Sequence, residues 1–155
     1  MSIGKLCVRT VVTVRPEEAV DTAARRMKQY NVGTLVVLEG KTPIGILTDR
    51  DLVLRVMALG SSPQETEVRA VMSGNLISVS ESTPLEDAMN LMRGYQIRRL
   101  VVVNKARELI GIFTLDDMLE LLGEEQSAIA GLLRSVSGRR ESPGSSPQQD
   151  QVSRS

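Results

Sequence analysis

Apolar residues in this chain switch between two spacings, and the whole switching pattern occurs twice. Val11, Val12, Thr13 and Val14 form a β-branched run that predicts a strand. Pro16, Glu17 and Glu18 then open a helix, since proline suits the first helical position and acids suit the positive end. Ala19, Val20, Ala23, Ala24 and Met27 recur at helical spacing, with Arg25, Arg26 and Lys28 on the other side. Asn31, Val32 and Gly33 end that helix. Residues 34–38 are apolar enough to predict a strand buried on both faces. Residues 39–43 predict a hairpin turn and residues 44–47 a third strand, opened by Gly45 as the chain leaves the turn. A helix from Asp49 carries Leu52, Val53, Val56 and Met57 to a C-cap at Gly60. A polar linker follows over residues 61–64.

A shift of 65 residues reproduces this order. It places Val12 on Ile77, Met27 on Met92, Tyr30 on Tyr95, Val32 on Ile97 and Leu35 on Leu100. One extra residue in the second hairpin makes the shift 66, which places Gly45 on Gly111, Ile46 on Ile112, Thr48 on Thr114 and Asp51 on Asp117. A repeat of this length is an internal duplication. Each copy reads β-α-β-β-α. A unit of about 60 residues buries little apolar surface alone, so two units sharing an interface are expected. The fold class is α+β, two such units in a pseudo-twofold pair with both third-strand/helix junctions facing one central cleft. The expected divisions are unit 1 over 1–62, unit 2 over 63–123, a further helix over 124–136 after a break at Gly123, and a disordered tail over 137–155. The further helix carries Ile129, Leu132, Leu133 and Val136 on one face, available to pack on the pair, on another subunit or on a target.

The repeated stretch Gly45 to Asp51, and again Gly111 to Asp117, runs as a strand into a helix start. Thr48 and Thr114 read as caps of free backbone N–H groups. Such a junction also favours anions, because its N–H groups point outward and the helix dipole is positive there. Caps alone would explain one copy; two copies with Asp at the same offset favour a ligand site.

Composition narrows the chemistry. The 155 residues hold 19 Lys+Arg and 19 Asp+Glu, so net charge drives no broad nucleic-acid binding. With no His, neither a zinc site of the usual His/Cys kind nor a Ser-His-Asp or Cys-His catalytic set can form within one chain. Cys7 is the only cysteine, so there is no intrachain disulfide. Aromatics at 2% supply no stacking platform for single strands. No apolar run approaches the roughly 18 residues of a membrane span, and no secretory core opens the chain, so a cytoplasmic protein is the default.

With Met72-Ser73 and the run Ile97-Arg98-Arg99-Leu100-Val101-Val102, the repeated Gly-hydrophobic-x-Thr-x-x-Asp motif resembles a tandem pair of CBS domains over about residues 3–122. The resemblance implies a stand-alone regulatory module rather than an enzyme. It implies an adenosine nucleotide (AMP, ADP or ATP, with Mg only if ATP) in the cleft, no other cofactor, a homodimer, and an effector protein that receives the signal. In that frame Asp51 and Asp117 each accept a ribose diol, since a carboxylate has two acceptor oxygens at suitable spacing. Thr48 and Thr114, with neighbouring N–H groups, suit the phosphate. The ligand is clasped crosswise: Val12, Val32 and Ile112 line one adenine slot, with Thr10 and Gly33 beside it, and Ile77, Ile97 and Ile46 line the other. Arg99 serves the phosphate at the Thr114/Asp117 site, and Arg98 points to the other site or the central cleft. Their first-unit counterparts are Thr34 and Gly33, so the positive charge is one-sided. Arg50 is a further candidate phosphate partner. The alternative is a ligand-free dimerisation module, with the apolar residues as core and the arginines as solvated surface.

Overall fold

The structure is a computed structural model that describes residues 1–137. The chain runs α1 (Ile3–Leu6), β1 (Thr13–Val14), α2 (Val20–Tyr30), β2 (Thr34–Glu39), β3 (Thr42–Thr48) and α3 (Asp49–Leu52), which continues as a π-turn over Val53–Met57. The second copy gives α4 (Val68–Val71), β4 (Ser78–Ser80), α5 (Leu85–Tyr95), β5 (Arg99–Val103), β6 (Leu109–Thr114) and α6 (Leu115–Ser137). Each copy makes one three-stranded sheet, with order β1-β2-β3 and β4-β5-β6. In each, the first strand pairs parallel to the second and the second antiparallel to the third. The α+β class and the duplicated pair follow from the sequence pattern as expected.

Alternation along the middle strands explains the layering. Leu35 and Val37 of β2 pack under α2 with Val20, Ala23 and Met27, and Leu100 and Val102 of β5 pack under α5 with Ala88 and Met92. Their opposite-facing neighbours Val36 and Val101 are fully buried against each other's sheet, with Ile46 and Ile112 beside them. Both faces of each middle strand are therefore apolar, and each buried Val or Leu stabilises by roughly 1.5–3 kcal/mol.

The first turn of each copy crosses to the other copy's core. Ile3 and Cys7 belong to the core of the second sheet, and Val68 and Val71 to the core of the first. The backbone follows: Ile3 N–H donates to Thr83 C=O at 2.8 Å, and Val68 N–H to Glu18 C=O at 2.9 Å. A division between residues 62 and 63 thus separates sequence repeats, not cores. The crossing segments then bridge the third strands, Val8 opposite Ile112 and Ser73 opposite Ile46.

Several local expectations need correction. Gly45 and Gly111 lie inside β3 and β6 rather than opening them. Their reason is close approach: a Cβ on Gly45 would sit 2.8 Å from Ser73 O, and one on Gly111 2.6 Å from Val8 O. The helix expected from Pro16 begins at Val20, because Pro16 and Glu18 C=O groups are taken by Arg69 and Val68 N–H. The strand expected over 11–14 is ladder-paired only at Thr13 and Val14. Gly123 makes no break, since α6 runs through it to Ser137. The remainder of the tail expected as disordered, 138–155, lies outside the described residues. By contact the chain divides into Met1–Met118, which holds both sheets, and a unit from Leu119 onward, of which the described part is helix with Ile129, Leu132 and Leu133 exposed.

Candidate functional site

Both Thr-x-x-Asp corners form reciprocal caps. Thr48 N–H donates to Asp51 Oδ2 at 2.9 Å and Asp51 N–H to Thr48 Oγ1 at 3.2 Å. Thr114 N–H donates to Asp117 Oδ2 at 2.8 Å, the Thr114 hydroxyl to the same oxygen at 2.7 Å, and Asp117 N–H back to Thr114 Oγ1 at 3.1 Å. The N–H groups of both threonines, expected beside a phosphate, are thus engaged in the caps. That engagement also weakens the helix ends as anion sites. A helix N-terminus carries about half a positive charge, whereas Asp116 and Asp117 place two full negative charges in the first turn of α6. A phosphate must therefore find a cation elsewhere.

That cation is at hand. A cavity of about 240 Å³ opens between the two copies, with Val12, Val32, Ile112, Thr114 and Arg99 in its wall. Thr10 and Gly33 line it too, so seven of the residues singled out in the sequence share one wall. Asp117 stands behind that wall, joined to it through Thr114, with Oδ1 unengaged among the described residues. Arg99 is exposed and, among the described residues, has no carboxylate within ion-pair distance. Val8, Val11 and Thr34 also line the cavity and were missed. Val8 arrives only through its bridge to Ile112, a pairing across more than a hundred residues that local pattern cannot show. Thr34 was detectable, since it is the repeat mate of Arg99. Its hydroxyl oxygen is buried with no hydrogen-bond partner among the described residues.

The other set is not gathered in this way. Ile46 packs in the layer between the sheets, and Ile77 in the core under the second sheet. Ile97 lines a different cavity of about 300 Å³, with Met89, Met92, Leu115 and Met118 between α5 and the start of α6. Arg98, expected to point to the other site or the central cleft, instead pairs with Asp116 at 3.6 Å on the surface. Arg50 is exposed on α3. A larger groove of about 590 Å³ runs along β1, but its Glu18 and Arg26 are engaged with each other at 2.6 and 2.7 Å. Cys7, buried near the Asp117 corner, has its thiol pKa raised by burial, which holds it as the unreactive thiol. Among the described residues no three His, Cys, Asp or Glu side chains group as metal ligands, and no helix is long and apolar enough to cross a membrane.

Known proteins share this fold. The family model described as CBS domain matches residues 3–58 and 68–124, more than half of the chain. The CBS domain-containing protein YhcV of Bacillus subtilis is 45% identical over 117 residues, covering 76% of this chain and 82% of that protein. The uncharacterized protein MK0525 of Methanopyrus kandleri is 38% identical over 122 residues, covering 78% of this chain but 62% of its own length. Among solved structures, the cytosolic domain of the Mg2+ channel MgtE in complex with ATP is similar at a TM-score of 0.67 and 26% identity, over 77% of this chain and 48% of that one.

Proposed function

Because the chain belongs to the CBS domain family as a tandem pair, we propose that it is a regulatory module that binds an adenosine nucleotide between its two copies. The observation that carries this reading is the 240 Å³ cavity, which brings together from both copies an apolar slot, Thr114 of the second Thr-Asp corner and an arginine with no ion pair among the described residues. Val12, Val32 and Ile112 hold the adenine face. Asp117 accepts the ribose hydroxyls through Oδ1, and Thr10, Thr34 and Thr114 supply further polar contacts. Arg99 takes the phosphate of AMP, ADP or ATP, with Mg accompanying ATP. The similarity to the MgtE cytosolic domain, solved in complex with ATP, supports the ligand class. The signal passes to an effector protein in the cytoplasm.

A thermal-shift panel of AMP, ADP, ATP, NAD, S-adenosylmethionine and GTP tests the reading. A ligand that binds only the folded chain stabilises by about 2.7 kcal/mol at a hundredfold excess over Kd. An adenosine nucleotide should raise the melting temperature of the wild type and not of Asp117→Ala. No shift with any of the six, on protein shown free of bound nucleotide, rejects it.

A second reading, dimerisation without ligand, has its own support. Tyr30, Val53, Leu54, Met57 and Leu59 of the first copy are all at least half exposed, Met57 at 72%. Tyr95 repeats Tyr30, and Leu119 repeats Val53, so an exposed apolar residue recurs at the same position in each copy. Such residues suit a homodimer. Met57→Glu should then shift the sedimentation coefficient to that of a monomer; an unchanged value rejects this face as the contact.

A further inference from the structure

The two Asp corners differ in what else holds the carboxylate. Oδ1 of Asp51, a side chain only 14% exposed, faces Arg55 Nε at 3.9 Å. Nη1 of the same guanidinium donates to Val71 C=O at 2.8 Å and to Met72 C=O at 3.4 Å. Arg55 thus spans from the first Asp corner to the segment by which the second copy crosses over. Its repeat mate is Leu121, which has no charge to offer Asp117.

We propose that Arg55 is a latch that commits Asp51 to structure, so that the chain takes one adenosine nucleotide, at Asp117. The ligand in this inference rests on the nucleotide reading above; the latch does not. Oδ2 of Asp51 is held by its cap and Oδ1 faces a cation that is itself anchored to backbone. A ribose diol would have to displace this ion-pair contact to bind there, whereas Oδ1 of Asp117 has no partner among the described residues. The surroundings agree: Val12, Val32 and Ile112 share one cavity wall at the Asp117 site, whereas Ile46, Ile77 and Ile97 do not gather beside Asp51.

Calorimetric titration of the full chain with AMP and with ADP tests the count. One equivalent should bind the wild type. Asp117→Ala should weaken it about tenfold or more, whereas Asp51→Ala and Arg55→Leu should both leave it unchanged. Two equivalents in the wild type, or equal losses from the two aspartate variants, overturn the proposal. Urea unfolding of Asp51→Ala, Arg55→Leu and the double variant tests the latch without ligand. A latch requires the double to lose less than the sum of the singles; additive losses overturn it. Coupled losses with no nucleotide bound by any variant leave the latch standing and reject the nucleotide reading instead.

Discussion

The first and second copies lay the same backbone around the central cleft and put different side chains on it. Both have parallel-then-antiparallel pairing, a glycine where the crossing segment meets the third strand, and a Thr-Asp cap at the next helix. They part where charge is placed. The second copy offers Arg98 and Arg99 where the first has Gly33 and Thr34, and the first offers Arg55 where the second has Leu121. The helix after the cap also differs: a π-turn at Val53–Met57 in one, an unbroken helix from Leu115 to Ser137 in the other. The shared residues are those that backbone geometry demands, and the divergent ones set where charge lies. Duplication supplies the same backbone twice; substitution makes one corner chemically distinct from the other.

The largest effect should come from breaking what the copies share. Gly111→Val forces a side chain against Val8 O, and Gly45→Val forces one against Ser73 O and the Met72 thioether. Each should cost about 3 kcal/mol in urea unfolding, with Gly111→Val the worse, because its neighbour is backbone at 2.6 Å while Met72 can shift. Similar stability of Gly111→Val and the wild type would show that the crossing segment is not held as described.

A smaller effect should come from exchanging what they do not share. Arg99→Thr makes the second copy resemble the first at this position. AMP binding should weaken about tenfold while adenosine binding changes little, since only the phosphate loses a partner. Equal loss for both ligands would mean that Arg99 supports the wall rather than the phosphate.

The sequence carried the duplication, the order of strands and helices along each copy and most of one cavity wall, because apolar period, the Gly-x-x-Thr-x-x-Asp spacing and repeat alignment are local signals. It did not show that α1 and α4 trade cores, since Ile3 and Val68 find their partners only across long loops. It set the two corners apart only through Arg98 and Arg99, and assigned both aspartates the same ribose role. The difference lies in one arginine four residues beyond Asp51, whose effect depends on Val71 and Met72 arriving within its reach. Gly123 misled for a related reason: a glycine lowers helix propensity by about 1 kcal/mol, too little to end a helix otherwise rich in Leu, Glu and Ala.

The smallest effect belongs to the edge strands. In the first copy Arg26 holds Glu18 through two bonds and donates to Thr13 C=O at 3.1 Å, while Glu18 accepts from Arg15 N–H at 2.7 Å. This clamp covers the outer edge of β1, where unpaired backbone would otherwise invite another strand. Thr83 and Leu91 stand at the same positions in the second copy and cannot form it. The hydrogen bonds from Arg26 hold the Glu18 carboxyl below its ordinary pKa of 4.5, against the opposing effect of burial. A carboxyl with a lowered folded-state pKa adds stability above its unfolded value, and that stability is lost as pH falls through the folded one. Arg26, its own pKa raised by the same contact, stays charged throughout. Glu18→Gln should therefore cost about 1 kcal/mol near neutral pH, the scale of a partly exposed ion pair. The gap between wild type and variant should narrow as pH falls below 4.5. Comparing the two proteins at each pH cancels the other carboxylates, which titrate in both. A gap that stays constant down to about pH 3, well below the ordinary carboxylate range, would show that the clamp does not act through the ionised Glu18, and the two edges would then differ only in shape.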